Sequence, residues 1–102
     1  MKEIFVVSGD WKLRALVRAE LRERGYTARG YESLHAAAAE LGSRAHFPAA
    51  LVVDAADTDA AIAAQQIAAW ATRLPVVLVL SAAQAAPPLP PKVCVLHRPL
   101  RI

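Results

Sequence analysis

Four short runs of apolar, largely β-branched residues recur along the chain: Ile4-Phe5-Val6-Val7, Ala49-Ala50-Leu51-Val52-Val53, Val76-Val77-Leu78-Val79-Leu80 and Val93-Cys94-Val95-Leu96. Each is followed at once by a polar residue: Ser8, Asp54, Ser81 or His97. Unbroken apolar runs of this length suit strands buried on both faces, the condition of a parallel sheet; a one-sided antiparallel sheet would alternate apolar and polar residues instead.

The segments between the runs read as helices. From Trp11 to Arg24, Leu13, Leu16, Val17 and Leu21 recur at spacings of three and four, with Lys, Arg and Glu elsewhere, as in an amphipathic helix. Asp10 stands at its N-cap and Gly25 where a left-handed C-cap is needed. Tyr26 to Tyr31 is short, polar and alternating, which fits an edge strand. Ser33 caps a second helix that runs to Leu41 and ends at Gly42, with Leu34, Ala37, Ala38 and Leu41 as its buried stripe. Asp57-Thr58-Asp59 offers caps for a third helix reaching about Thr72, its inward face being Ile62, Ala63, Ile67, Trp70 and Leu74. Pro75 stops that helix, and four prolines between Ser81 and Pro91 oppose another.

Strands alternating with helices imply right-handed crossovers and a doubly wound, five-stranded parallel sheet. The fourth helix is expected to be short or absent, and the residues after Leu96 leave no room for a final one. At 102 residues, positions 1–102 are expected to form a single domain around one core. In such sheets the site lies beyond the carboxyl ends of the strands, so Asp10, Asp54, Ser81 and Arg98 become the candidates.

Composition narrows the partners. The net charge is only +3, and the basic residues do not interleave with aromatics, so nucleic-acid binding is not expected. Cys94 is the sole cysteine, which excludes an internal disulfide and a cysteine-based zinc set, and fits a reducing cytoplasm. Four apolar residues after Met1-Lys2-Glu3 are too few for a signal peptide core or a membrane span. Cys94 is expected buried and inert within its strand, and Trp11 and Trp70 are expected to pack on the core or along a helix surface. His35, His46 and His97 are too scattered to nominate as ligands.

The order of elements, with Val6-Val7 before a turn, Leu51-Val52-Val53-Asp54, Leu74-Pro75 before a strand ending in Ser81, and Arg98-Pro99, resembles the receiver domains of bacterial response regulators, the CheY-like superfamily. The resemblance covers almost the whole chain. It implies that Asp54 matches the aspartate that accepts a phosphoryl group from a histidine kinase. It implies an acidic pair after the first strand that holds magnesium, but those positions here are Ser8 and Gly9. Only Asp10, the next residue, is left to join Asp54 in the acidic pocket, a poor set for a hard cation. Ser81 matches the family's hydroxyl at the end of the fourth strand; its alternative is a plain strand-end turn residue. Arg98 stands where a lysine normally pairs with the acidic site, so a salt bridge to Asp54 or Asp10 is expected beside the reading as an exposed base. Val95 takes the place of the fifth-strand aromatic, so the family's coupling between hydroxyl and aromatic lacks its second half.

These departures imply an atypical receiver, or pseudo-receiver: not an enzyme, but a signalling module that works through protein contacts. Its partners would be a histidine kinase or an output domain, or a second copy joined through the uncovered sheet face or the terminal strand. The first alternative is a working phosphorelay receiver, phosphorylated at Asp54 with the help of Asp10 and Arg98. The second is a small nucleotide-binding α/β domain, although Ser8-Gly9-Asp10-Trp11-Lys12 has neither GxGxxG nor P-loop spacing.

Overall fold

A computed structural model describes residues 2–56 and 58–98. Its elements are β1 (Glu3–Val7), α1 (Trp11–Glu23), β2 (Thr27–Tyr31), α2 (Leu34–Gly42), β3 (Ala50–Asp54), α3 (Ala60–Ala71), β4 (Val76–Leu80) and β5 (Val93–His97). The strands form one sheet in the order β2-β1-β3-β4-β5, every neighbouring pair parallel. This is the doubly wound order whose direction reverses between β1 and β3, opening a crevice at their carboxyl ends.

Local chemistry sets the helix boundaries as expected. The Asp10 carboxylate accepts from the N–H groups of Lys12 and Leu13 at the start of α1, Ser33 from Ala36, and Asp59 from Ala61 and Ile62. Gly25 follows α1 at φ +90°, the left-handed conformation glycine adopts without steric cost. Asp57, the other expected cap of α3, lies outside the described residues, as do Pro99 and Leu100.

The two faces of the sheet are covered unequally. On one face, Phe5, Val7, Leu51, Val53, Leu78 and Leu80 pack against Ala37 and Leu41 of α2 and Ala63, Ile67 and Ala71 of α3. On the other, Ile4 and Val6 pack under Val17, with Leu13, Leu21 and Val52 at the margin. Only α1 covers this second face among the described residues, and β4 joins β5 through residues 81–92 without a helix.

Three expectations of burial are corrected. Leu16, placed on the inward stripe of α1, is 56% exposed, because it lies on the flank of α1 away from its buried line, Leu13-Val17-Leu21. Cys94, expected buried, is exposed: it shares the register of Val77 and Val52 on the face that α1 only partly covers. Leu96 on the same side of β5 is 43% exposed. In α3, Ile62 is exposed, since the helix turns the line Ala63-Ile67-Ala71 to the sheet and Ile62 stands about 100° away from it.

The tryptophans separate. Trp70 is half-buried, edge-on to Phe47 at 5.9 Å between ring centroids, with the Arg73 guanidinium over its ring. Trp11 is 65% exposed and touches Lys12 by a cation–π contact, so it does not pack on the core.

Candidate functional site

The crevice at the β1/β3 reversal is built by strand ends. β1 ends at Val7, and the Ser8 N–H donates to the Tyr31 carbonyl at 3.0 Å, which carries the β1–β2 register one residue further and buries Ser8 to 1% exposure. β3 ends at Asp54, whose successor Ala55 donates to the Val79 carbonyl at 2.8 Å. β5 ends at His97, and the Arg98 N–H donates to the Leu80 carbonyl at 2.8 Å. Three strand extensions therefore deliver Ser8, Asp54 and Arg98 to one place.

Asp54 is the centre of that place, its side chain only 6% exposed. Its Oδ2 accepts the Ser8 hydroxyl at 2.7 Å and Arg98 Nη2 at 2.5 Å, while Oδ1 accepts the Ala56 N–H at 3.1 Å. A buried carboxylate is tolerated when its charge is paired and its oxygens are hydrogen-bonded, and here Arg98 pairs the charge while three hydrogen bonds reach the two oxygens. Asp10 stands at the rim. Its Oδ1 caps α1, and its Oδ2 lies 3.8 Å from Arg98 Nη1, so one carboxylate does both jobs expected of it. Arg98 thus spans the two acids, with its Nε buried and without a hydrogen-bond partner among the described residues.

Ser81 sits apart from this cluster and makes none of the hydrogen bonds to Asp54. Its backbone is closed by Gln84, whose Oε1 accepts the Ser81 N–H at 2.7 Å and whose own N–H donates to the Ser81 carbonyl at 3.2 Å. The Gln84 amide also donates to the carbonyls of Ala55 at 3.2 Å and Thr58 at 2.7 Å. His97 Nε2 donates to the Gln84 carbonyl at 3.1 Å. One glutamine therefore ties the β3–α3 loop, the β4–β5 loop and the end of β5 together.

Sequence reasoning missed two members of the site. Ser8 was legible only as a residue unable to ligate a metal, yet it is a direct partner of Asp54. Gln84 lay inside an Ala- and Pro-rich loop with no periodicity to mark it. Arg14 of α1 steadies Ser8 from the backbone side, donating from Nη1 to the Ser8 carbonyl at 2.6 Å. Val95 occupies the inward side of β5 against the larger core, as an aliphatic where the resemblance places an aromatic.

A cavity of about 570 Å³, lined by Lys2, Glu3, Arg44, His46 and Phe47, lies at the opposite end of the sheet. The described residues contain no group of three or more His, Cys, Asp or Glu side chains placed to hold a metal ion. No helix among them is long and apolar enough to cross a membrane.

No protein-family model and no curated protein matches this sequence. The fold does match solved structures. The receiver domain of the hybrid histidine kinase CckA superposes with a TM-score of 0.72 at 19% identity, over 97% of this chain and 87% of that one. The Vibrio cholerae chemotaxis protein CheY4 gives 0.75 at 13% identity, over 99% and 89%. The Thermotoga maritima response regulator TrrA, solved in complex with Mg(2+)-BeF, gives 0.64 at 23% identity, over 78% and 70%. The chain has the receiver fold of response regulators.

Proposed function

We propose that this receiver-fold chain is a signalling module of the two-component type that acts through protein contacts and not through a phosphoryl group carried on Asp54. Residues 1–102 act as one domain in the cytoplasm, without enzymatic activity of their own. The partner is a histidine kinase, an output domain or a second copy of the chain.

The observation that carries this reading is the state of the Asp54 carboxylate. Attack on a phosphodonor needs a carboxylate oxygen with a free lone pair facing solvent, and developing charge on the transferred group must be neutralised. Here both lone pairs of Oδ2 are taken, by Ser8 and Arg98, one of the two on Oδ1 is held by the Ala56 N–H, and the side chain is nearly closed off from solvent. Gln84 supports the same reading from the other side of the crevice, because it anchors Ser81 and the β3–α3 loop by hydrogen bonds independent of Asp54.

Exposed apolar surface supports contact as the mode of action. Cys94 and Leu96 lie on the incompletely covered sheet face, and Leu16 and Trp11 are exposed on α1. Large exposed apolar side chains of this kind are the usual material of a protein interface.

The test is incubation of the purified protein with acetyl phosphate and magnesium, followed by intact-mass measurement. The expected result is an unchanged mass. A phosphoryl adduct that disappears in Asp54→Asn would establish the phosphorelay reading and overturn this one.

A further inference from the structure

The receiver fold implies a divalent cation, normally magnesium, at the acidic crevice, and the donor set found here does not fit one. Magnesium demands near-octahedral oxygen coordination with several ligands at about 2.0–2.1 Å and dehydrates reluctantly. Three of the four carboxylate oxygens at this crevice already accept hydrogen bonds from the chain. Asp54 Oδ2 is taken by Ser8 and Arg98, and Asp54 Oδ1 by the Ala56 N–H. Asp10 Oδ1 is committed to the Lys12 and Leu13 N–H groups, and the Ser8 carbonyl to Arg14. The one remaining carboxylate oxygen, Asp10 Oδ2, faces the Arg98 guanidinium at 3.8 Å.

We infer that Arg98 is the resident cation of this crevice: its guanidinium takes the place of the divalent ion, so that the chain pairs Asp54 and Asp10 with a cation of its own and is blind to magnesium. This deepens the protein-contact reading and rests on it. A single guanidinium, that of Arg98, faces both carboxylates, at 2.5 Å from Asp54 Oδ2 and 3.8 Å from Asp10 Oδ2. Geometry agrees with the assignment. The Arg98 backbone is pinned to Leu80, and the side chain leaves its Nε buried without a partner while both terminal nitrogens reach toward carboxylates. An arginine merely resting at the surface would hydrate all five of its donors. Arginine suits the post because it stays charged at every physiological pH and is less strongly hydrated than an ammonium.

The experiment uses manganese as a paramagnetic stand-in for magnesium, read by amide NMR on the intact chain. In the wild type, the amides of Gly9, Asp10, Asp54 and Ala55 should broaden no more than those beside exposed acids such as Glu23. In Arg98→Met, broadening should concentrate at those four amides, with an apparent affinity for manganese at least about tenfold tighter than in the wild type. Selective broadening in the wild type overturns the inference, as does a folded Arg98→Met that remains blind. If Arg98→Met does not fold, Arg98→Gln takes its place under the same criteria, and the wild-type arm decides in any event. Manganese binding by the wild type would leave the protein-contact reading standing, whereas a phosphoryl adduct formed without any divalent ion would overturn that reading and leave Arg98 as the cation.

Discussion

Ser8 is a small residue at a position where size and charge decide the character of the crevice. Its hydroxyl sits 2.7 Å from Asp54 Oδ2 and is almost wholly shielded from water, so this hydrogen bond is made to a charged acceptor in a poorly solvated place. Ser8→Ala removes the donor and leaves the carboxylate short of one partner. The expected loss is about 1–3 kcal/mol of folding stability, read by urea denaturation, and a loss under about 0.5 kcal/mol would mean that Asp54 is rehydrated at no cost. Gln84 works differently, through geometry. Gln84→Ala should speed hydrogen exchange of the Ser81 amide, which loses its acceptor, while leaving core amides such as Leu78 protected.

Among the elements, α1 and β2 are fitted to each other by a glycine. A Cβ at Gly30 would stand 2.9 Å from Arg14 Cδ and 3.0 Å from Arg18 Cδ, so both arginine stems lie directly on the edge strand. Their head groups then reach backbone carbonyls, Arg14 at Ser8 and Arg18 at Ala28. Gly30→Ala should push both stems away and cost about 1 kcal/mol in thermal or urea unfolding, because the lost arginine contacts outweigh the helpful loss of glycine freedom in the unfolded chain. β5, at the opposite edge, has its outer side open. The thiol of Cys94 should therefore react with a thiol reagent in the native protein nearly as fast as in denaturant; protection in the native state would show that something covers this strand.

For the whole molecule, charge is organised at both ends of the sheet. At the amino-terminal end, Glu3 is held by Arg44 and by Arg29, the latter at 2.6 Å, and Arg44 also reaches Glu40 at 3.3 Å while lying over the Phe5 ring. The hydrogen bond from Arg44, aided by its charge and by Arg29, holds the Glu3 carboxyl below the usual glutamate range in spite of partial burial. A carboxyl with a depressed folded pKa contributes stability that is present above its unfolded value, about 4.3, and is lost as pH falls through the folded value. Stability should accordingly decline on acidification below about pH 4, and Glu3→Gln should flatten that part of the profile. The unequal covering of the two faces is also a property of the whole. Replacing Leu16 and Leu96 together by glutamine should change stability by less than about 0.5 kcal/mol, since both are already wet, while lowering any self-association seen by sedimentation.

The sequence by itself determined the elements and their kind. Apolar runs, helical spacing and the caps Asp10, Ser33 and Asp59 act within a few residues of themselves, and such short-range preferences survive whatever surrounds them. It also placed Asp54 and Arg98 at strand ends, because in a parallel sheet every strand delivers its carboxyl tip to the same edge. Tertiary structure alone decided what those tips touch. Ser8 meets Asp54 across 46 residues of sequence, and Arg98 meets it across 44. No local pattern marks a serine as a buried donor or a loop glutamine as the tie between three segments. The exposure of Cys94 was hidden for a related reason: an apolar run shows that a strand can be buried, but burial depends on whether another layer lies over it, and among the described residues one helix covers only part of this face of the five-stranded sheet.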